Sequence, residues 1–227
     1  MEARKKGMKN HPSSIQRMLN VWAIILIVWS IYRTKLQLPE WFDEFIAKPM
    51  VFILPVYWYI NKYEKGNFLQ NIGLSKKNLS KNLVFGLLIG MAFAGAGLAS
   101  NYVKHHGFDF TGTLLAGSPS SLIYILLLAL ATAITEEIVS RGFVLKRLYE
   151  DAKNIYSASF LSSILFLILH IPILFTKPDL SGSLILLFLG TDLLLSLITS
   201  LLFLESNNLL AAILVHALYN IAIILYI

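Results

Sequence analysis

Seven polar side chains lie within otherwise apolar segments of the second half of the chain. They are Glu136, Glu137, Arg141, His170, Asp192, His216 and Asn220. Ionisable groups in such segments cost about 2.5–3.5 kcal/mol each on insertion scales, so each one needs a compensating role. A carboxylate can take a proton from water, while imidazole and amide groups can donate hydrogen bonds to an oxyanion. These residue types therefore indicate hydrolytic chemistry inside a membrane.

The spacing of residues within two of these segments predicts different roles for their side chains. Glu137 and Arg141 are four residues apart with the acid first, which favours an ion pair on one helix face. Glu136 points about 100° away on the same helix, and we expect it to be unpaired and suited to general-base work on water. His216 and Asn220 are also four apart and share a helix face, from which both can stabilise an oxyanion.

The depths of these groups agree across three segments. Glu136 and His170 lie at equal distances from the polar stretch between their segments, so an antiparallel hairpin brings them level. At 1.5 Å per residue, Glu136 lies about 13 Å inside the segment end at Leu145, and His216 lies at a depth of about 12 Å in its own segment. The groups are predicted to share one level, facing the cytoplasm.

Each polar group also has a structural interpretation. An acid beside a base near a helix end is often a solvated interface pair, and an Asn in a span often joins two helices. Asp192 has no partner nearby in sequence, and we favour structural pairing over catalysis for it. Phe166 lies four residues before His170 and is expected to pack against its ring. The shared level of three segments favours a functional site over these separate explanations.

The composition is that of a membrane protein. Of the 227 residues, 56% are hydrophobic and only 14% are charged, and the mean hydropathy is +0.67. The absence of cysteine excludes disulfides and thiolate metal sites. The net charge of +6 does not indicate nucleic-acid binding, because the basic residues lie mainly between apolar segments, where they set membrane orientation.

We predict an all-α polytopic helix bundle with about seven transmembrane helices. The apolar segments are approximately Ile15–Ile31, Phe45–Ile60, Leu83–Val103, Leu122–Leu145, Tyr156–Phe175, Ser183–Leu204 and Leu209–Ile227. The second is the weakest, since it opens with Lys48 and Pro49 and contains Pro55. The predicted organisation is a cytoplasmic basic leader (1–14), N-terminal spans (15–121) and a catalytic core (122–227).

The Lys and Arg residues between the spans predict the orientation. Fourteen of them belong to connections on the side of the N-terminus. The other side has five: Arg33, Lys35, Lys48, Lys104 and Lys177. The positive-inside rule then places the N-terminus in the cytoplasm. The short chain and its basic leader suit a bacterial plasma membrane.

The motifs resemble those of a known family. Glu-Glu-x-x-x-Arg, Phe-x-x-x-His and His-x-x-x-Asn, in this order within about 122–227, are similar to the signature of the CPBP (CAAX protease and bacteriocin-processing) intramembrane endopeptidases. That family includes type II CAAX prenyl proteases, peptide-processing proteases and Abi-like bacteriocin self-immunity proteins. The resemblance implies peptide-bond hydrolysis, with Glu136 and His170 activating water and His216 and Asn220 stabilising the oxyanion. Glu137 and Arg141 then support the site.

The resemblance leaves the role of a metal open. The family has often been described as metalloproteases, and Glu136, His170 and His216 make a two-His, one-carboxylate set of the kind that binds catalytic zinc. The His-Glu-x-x-His motif of zincins is absent. We therefore prefer a glutamate mechanism that requires no cofactor.

Three functions are compatible with the sequence. The first is an endopeptidase that cuts a membrane protein or peptide from the cytoplasmic side of the lipid bilayer, in CAAX-like processing or in bacteriocin maturation or self-immunity. The second is a proton-coupled transporter, which also uses intramembrane Glu, His and Asp but typically has repeated halves that this sequence lacks. The third is a non-catalytic membrane immunity protein. The sequence does not indicate an oligomeric state.

Overall fold

All regular elements of the described chain are helices, which confirms the all-α prediction. The computed structural model describes residues 13–36, 38–109, 119–174 and 182–226, so most of the predicted leader, together with Lys177, lies outside the described residues. The helices are α1 (Ser14–Lys35), α2 (residues 40–63), α3 (Phe68–Asn71), α4 (Leu79–His105), α5 (residues 119–152), α6 (Ile155–Leu174), α7 (Gly182–Ser206) and α8 (Leu209–Tyr226).

Five helices of the described chain are long and apolar enough to cross a membrane. These stretches are Ser14–Lys35, Leu79–His105, Leu122–Ala152, Ile155–Pro172 and Ile185–Ser206. Helix α8 adds a shorter apolar stretch, Leu209–Ile224. Helix α2 is a further long helix outside these five. The described chain thus has seven long helices, which is roughly consistent with the predicted number of about seven.

Helix α2 is continuous but irregular. Its first half contains two π-helical segments, Asp43–Ala47 and Pro49–Ile53. Pro49 and Pro55 lack the N–H that an α-helix requires, and a wider turn accommodates this loss. Lys48, which was counted above with an outer connection, is instead buried between the two segments, with 6% of its surface exposed. That assignment was wrong because spacing in sequence does not show that this lysine turns inward.

Helix α5 is the longest element and changes its winding at the polar motif. An α-helical part, Pro119–Glu137, is followed by the π-helical segment Ile138–Leu145 and by a final α-helical part. Every residue of the π-helical segment is buried. Gly142 lets the loop before α4 approach closely, because a Cβ atom there would lie 2.8 Å from the carbonyl oxygen of Ile72. π-Helical turns of this kind are frequent at functional sites.

Close packing of α4 against α8 fixes the helix that carries His216. A Cβ atom on Gly97 would lie 2.7 Å from the carbonyl oxygen of Ala222, and one on Gly90 would lie 2.5 Å from the side chain of Leu218. Small residues at such positions allow two membrane helices to approach each other.

Hydrogen bonds join several connections at one end of the bundle. Arg147, near the end of α5, pairs with Glu64 after α2 at 2.7 Å. The Asn208 amide, between α7 and α8, donates to the carbonyl oxygen of Ser75 at 2.8 Å. The whole of α2 (residues 40–63) separates the connection between α1 and α2 from Glu64, which places that connection at the other end.

Candidate active site

Glu136 lies where helices α2, α5, α6 and α8 meet, and only 7% of its surface is exposed. Its Oε1 atom is 2.7 Å from Lys48 Nζ, while Oε2 is 3.5 Å from His170 Nε2 and 3.7 Å from His216 Nε2. Glu136 and His170 therefore lie close together, as predicted. The expectation that Glu136 is unpaired was wrong, because its cationic partner comes from α2, 88 residues earlier in the chain.

His170 is held by its own helix. Its Nδ1 atom lies 3.0 Å from the carbonyl oxygen of Phe166. A carbonyl oxygen only accepts hydrogen bonds, so Nδ1 carries the hydrogen and Nε2 faces Glu136. The ring centroids of Phe166 and His170 are 4.5 Å apart, which confirms the predicted packing of the aromatic ring against the imidazole.

His216 is oriented by the second glutamate. Its Nδ1 atom lies 2.8 Å from Glu137 Oε1, and the same oxygen is 2.9 Å from an Arg141 nitrogen. The Glu137 and Arg141 side chains are both 0% exposed. The predicted pair of Glu137 with Arg141 is therefore present, and it also directs His216 Nε2 towards Glu136. Glu137 Oε1 thus contacts both the Arg141 guanidinium and the His216 imidazole.

Asp192 has the structural partner expected for it and also lies beside the site. Its Oδ1 atom accepts a hydrogen bond from the Tyr219 hydroxyl at 2.7 Å. Its Oδ2 atom is 3.9 Å from His170 Nε2. Asp192 therefore joins α7 to α8 and places a second carboxylate near His170 Nε2, the atom that also faces Glu136.

Asn220 makes its described contact away from Glu136. The amide nitrogen donates to the carbonyl oxygen of Ala129 at 3.4 Å. Ala129 precedes Glu136 by seven residues, which is about 10 Å along a helix. Of the two residues predicted to share a face of α8, His216 thus approaches Glu136 in the described chain, and the role of Asn220 stays a prediction.

Lys48 and Glu44 are site residues that the sequence analysis did not identify. Lys48 Nζ is 2.8 Å from Glu44 Oε2, which also accepts a hydrogen bond from the Thr132 hydroxyl at 2.6 Å. The signal was an acid and a lysine four residues apart in an apolar segment, where a lysine needs a carboxylate partner. The two prolines made this segment look like a weak span and concealed that signal.

A cavity of about 350 Å³ extends from Glu136. Phe166, Leu169 and His170 line it beside Glu136, and α2 contributes Asp43, Glu44, Lys48 and Phe52 along its length. Trp29, Arg33, Leu38 and Glu40 complete the lining at the connection between α1 and α2. The cavity therefore leads from Glu136 to the end of the bundle opposite the hydrogen-bonded connections.

The three side chains that the resemblance offers as zinc ligands lie close together, with a lysine ammonium group beside them. Among the residues that the structure describes, no group of three or more His, Asp and Glu side chains is arranged to hold a metal. The Lys48 ammonium is 2.7 Å from Glu136 Oε1, and its positive charge disfavours a second cation on the same carboxylate.

Comparison with known families supports the resemblance described above. A family model described as "Type II CAAX prenyl endopeptidase Rce1-like" matches residues 118–222. This range includes every position of the three motifs and excludes α1–α4. Comparisons with curated proteins and with solved structures gave no significant match. Residues 118–222, just under half of the chain, thus match the Rce1-like type II CAAX prenyl endopeptidases, in agreement with the resemblance that the three motifs carry.

Proposed function

We propose that this protein hydrolyses a peptide bond of a membrane-associated protein or peptide, with Glu136 as the general base. The observation that carries the proposal is the position of Glu136 Oε2. This buried oxygen accepts no hydrogen bond of normal length from any described residue, yet the Nε2 atoms of His170 and His216 lie 3.5 and 3.7 Å away. Buried polar atoms are normally satisfied, often by water, so the arrangement suits a water-binding site.

His170 is suited to orient the attacking water. In its neutral form, with the hydrogen on Nδ1, the Nε2 atom presents a lone pair towards Glu136 Oε2. A water molecule can donate one hydrogen to each of these two acceptors. Its oxygen then attacks the scissile carbonyl carbon while Glu136 Oε2 takes a proton. When the C–N bond breaks, Glu136 returns that proton to the leaving nitrogen.

His216 is suited to stabilise the oxyanion that forms during the attack. With Nε2 protonated, the ring can donate to the developing negative charge, while Nδ1 keeps its contact with Glu137. Asn220 is proposed as the second donor. Its described bond to Ala129 is long, at 3.4 Å, so little is lost when the amide turns towards a substrate.

The cavity supports a route for the substrate. Cytoplasmic access was predicted from the depth of the polar groups, but the cavity favours entry at the connection between α1 and α2. The Lys and Arg distribution assigns that connection to the opposite side. The lining combines apolar side chains at Trp29, Phe52 and Leu169 with charged ones from α2, which suits an extended polypeptide whose polar backbone also needs partners. CAAX-like processing, bacteriocin maturation and self-immunity stay predictions.

The route can be tested with single cysteines, since the chain has none of its own. Leu38 lines the cavity and is 41% exposed. We expect a bulky, membrane-impermeant thiol reagent to block hydrolysis by the Leu38→Cys variant only when it is added on the side of the α1–α2 connection. Tyr156→Cys, at an 81% exposed position near the other end, should be labelled from the opposite side with activity retained. Full labelling of Leu38→Cys without loss of activity would contradict this route.

The function itself is tested with purified protein in liposomes and a library of membrane peptides. We expect cleavage that survives exhaustive treatment with a strong chelator, because the preferred mechanism uses Glu136 as the base and the Lys48 ammonium already neutralises this carboxylate. A zinc endopeptidase in the same buffer should lose its activity and so verifies the treatment. Activity that disappears on chelation and returns with zinc alone would overturn the metal-free mechanism. Absence of cleavage under all conditions would count against the proposed function.

A further inference from the structure

We propose that Lys48 is a positioning residue for this hydrolysis. Its ammonium group holds Glu136 through Oε1 and thereby leaves Oε2 as the atom that accepts the proton from water. The inference rests on the proposed function, and it assigns part of the active site to a helix outside the matched family domain.

The geometry gives the ammonium group a fixed place between two helices. Lys48 Nζ lies 2.7 Å from Glu136 Oε1 on α5 and 2.8 Å from Glu44 Oε2 on its own helix. The Thr132 hydroxyl on α5, one turn before Glu136, donates to the same Glu44 oxygen at 2.6 Å. These contacts tie α2 to α5 at two successive turns, so the position of Nζ depends on both helices.

The electrostatic balance makes this ammonium group necessary. A charge buried without a partner is costly, and here one cation is shared by two carboxylates. Without it, the carboxylates of Glu44 and Glu136 would face each other across the space that Nζ now occupies. Glu136 would then lose the contact that fixes its rotation, and Oε2 would no longer be directed at the two imidazoles. A displacement of about 1 Å at a reacting group can cost about 10²-fold in rate.

The contacts also assign separate tasks to the two oxygens of Glu136. Oε1 has a charged hydrogen-bond donor at 2.7 Å, whereas Oε2 accepts no hydrogen bond of normal length from the described residues. An oxygen that already accepts from an ammonium group is the poorer acceptor for a proton from water. Oε2 lies on the side of His170 and His216, where the water is proposed to bind.

The experiment compares the kinetics of Lys48→Met and Lys48→Arg with those of the wild type. We expect Lys48→Met to lose about 10- to 100-fold in kcat with KM changed by less than about twofold, because orientation of the base is lost while a side chain of similar length still lines the cavity. Lys48→Arg keeps the charge and should recover at least half of that loss on a logarithmic scale. Lys62→Met removes an exposed lysine from the same helix and should retain wild-type kcat.

A second measurement separates positioning from folding. Lys48→Ala leaves space beside Glu136, and added ethylammonium should restore part of kcat in a saturable manner, whereas a misfolded protein does not respond. Unchanged kcat in Lys48→Met overturns the inference. Increased kcat overturns it too and identifies Lys48 as an inhibitory latch. Loss of kcat with no rescue by either Arg or ethylammonium reduces Lys48 to a structural residue. If the wild type cleaves nothing, the proposed function fails first and the role of Lys48 fails with it.

Discussion

The Glu136→Gln variant is expected to lose about 10²–10⁴-fold in kcat, the range by which a positioned general base accelerates a reaction. Glutamine has nearly the same shape and can still accept a hydrogen bond from Lys48, but its amide cannot take a proton from water. The largest effect should therefore fall on the chemical step, with substrate binding little changed. Initial rates in liposomes, with the peptide varied from below to above its KM, measure both quantities.

The matched control for this variant is Glu205→Gln, which makes the same change at an exposed position of α7. It should retain the activity of the wild type. The folding of Glu136→Gln is checked by thermal unfolding in detergent, where Lys48 still has Glu44 as a partner at 2.8 Å. A rate within about tenfold of the wild type would remove Glu136 from the role of general base, since that role is worth at least 10²-fold.

Replacing Arg141 by Met should destabilise the protein by about 3–5 kcal/mol, the cost of leaving a buried charge without its partner. Arg141 and Glu137 are 0% exposed and 2.9 Å apart, so water cannot compensate the glutamate when the guanidinium is removed. Methionine keeps the apolar volume of the arginine stem, which limits any additional cavity effect. Reversible unfolding in mixed micelles measures the change in free energy.

A double variant distinguishes the lost partner from lost packing. Glu137→Gln combined with Arg141→Met removes both charges, and it should recover a substantial part of the stability that the single Arg141→Met variant loses. Lys76→Met, at an exposed position before α4, should lie within about 0.5 kcal/mol of the wild type. A loss of less than about 1 kcal/mol for Arg141→Met alone would show that the pair does not stabilise the bundle, since surface pairs contribute that much.

The predictions for Glu136→Gln and Arg141→Met concern different measured quantities. Glu136→Gln should change kcat with little effect on stability, whereas Arg141→Met should change stability directly. Arg141→Met also weakens the Glu137 contact that orients His216, at 2.8 Å, so a reduced kcat is expected in the fraction that remains folded.

Local geometry made several features predictable from the sequence alone. The apolar segments indicated membrane helices because a span must satisfy its own backbone hydrogen bonds. The pair of Glu137 with Arg141 follows from the four-residue repeat of a helix face, and the meeting of Glu136 with His170 follows from their equal distances to a hairpin turn. These inferences need only the rise and the rotation of one helix or one hairpin.

The remaining contacts were decided by tertiary structure. Lys48 reaches Glu136 from 88 residues away, and His216 binds Glu137 across 79 residues. Such contacts depend on how each helix is rotated and tilted against its neighbours. The π-helical segments in α2 and α5 change that rotation where these side chains lie. For the same reason, the spacing of residues did not predict that Asn220 contacts Ala129. It also did not predict the direction of the cavity.

The sequence alone thus determined that the polar side chains of the second half of the chain need partners inside the membrane, because a buried charge is costly. It did not identify Lys48 and Glu44 as further residues of this kind. Packing of the helices decided which partners they have. It gave Glu136 an ammonium group on one oxygen and two imidazoles near the other, an asymmetry that arises only where four helices meet.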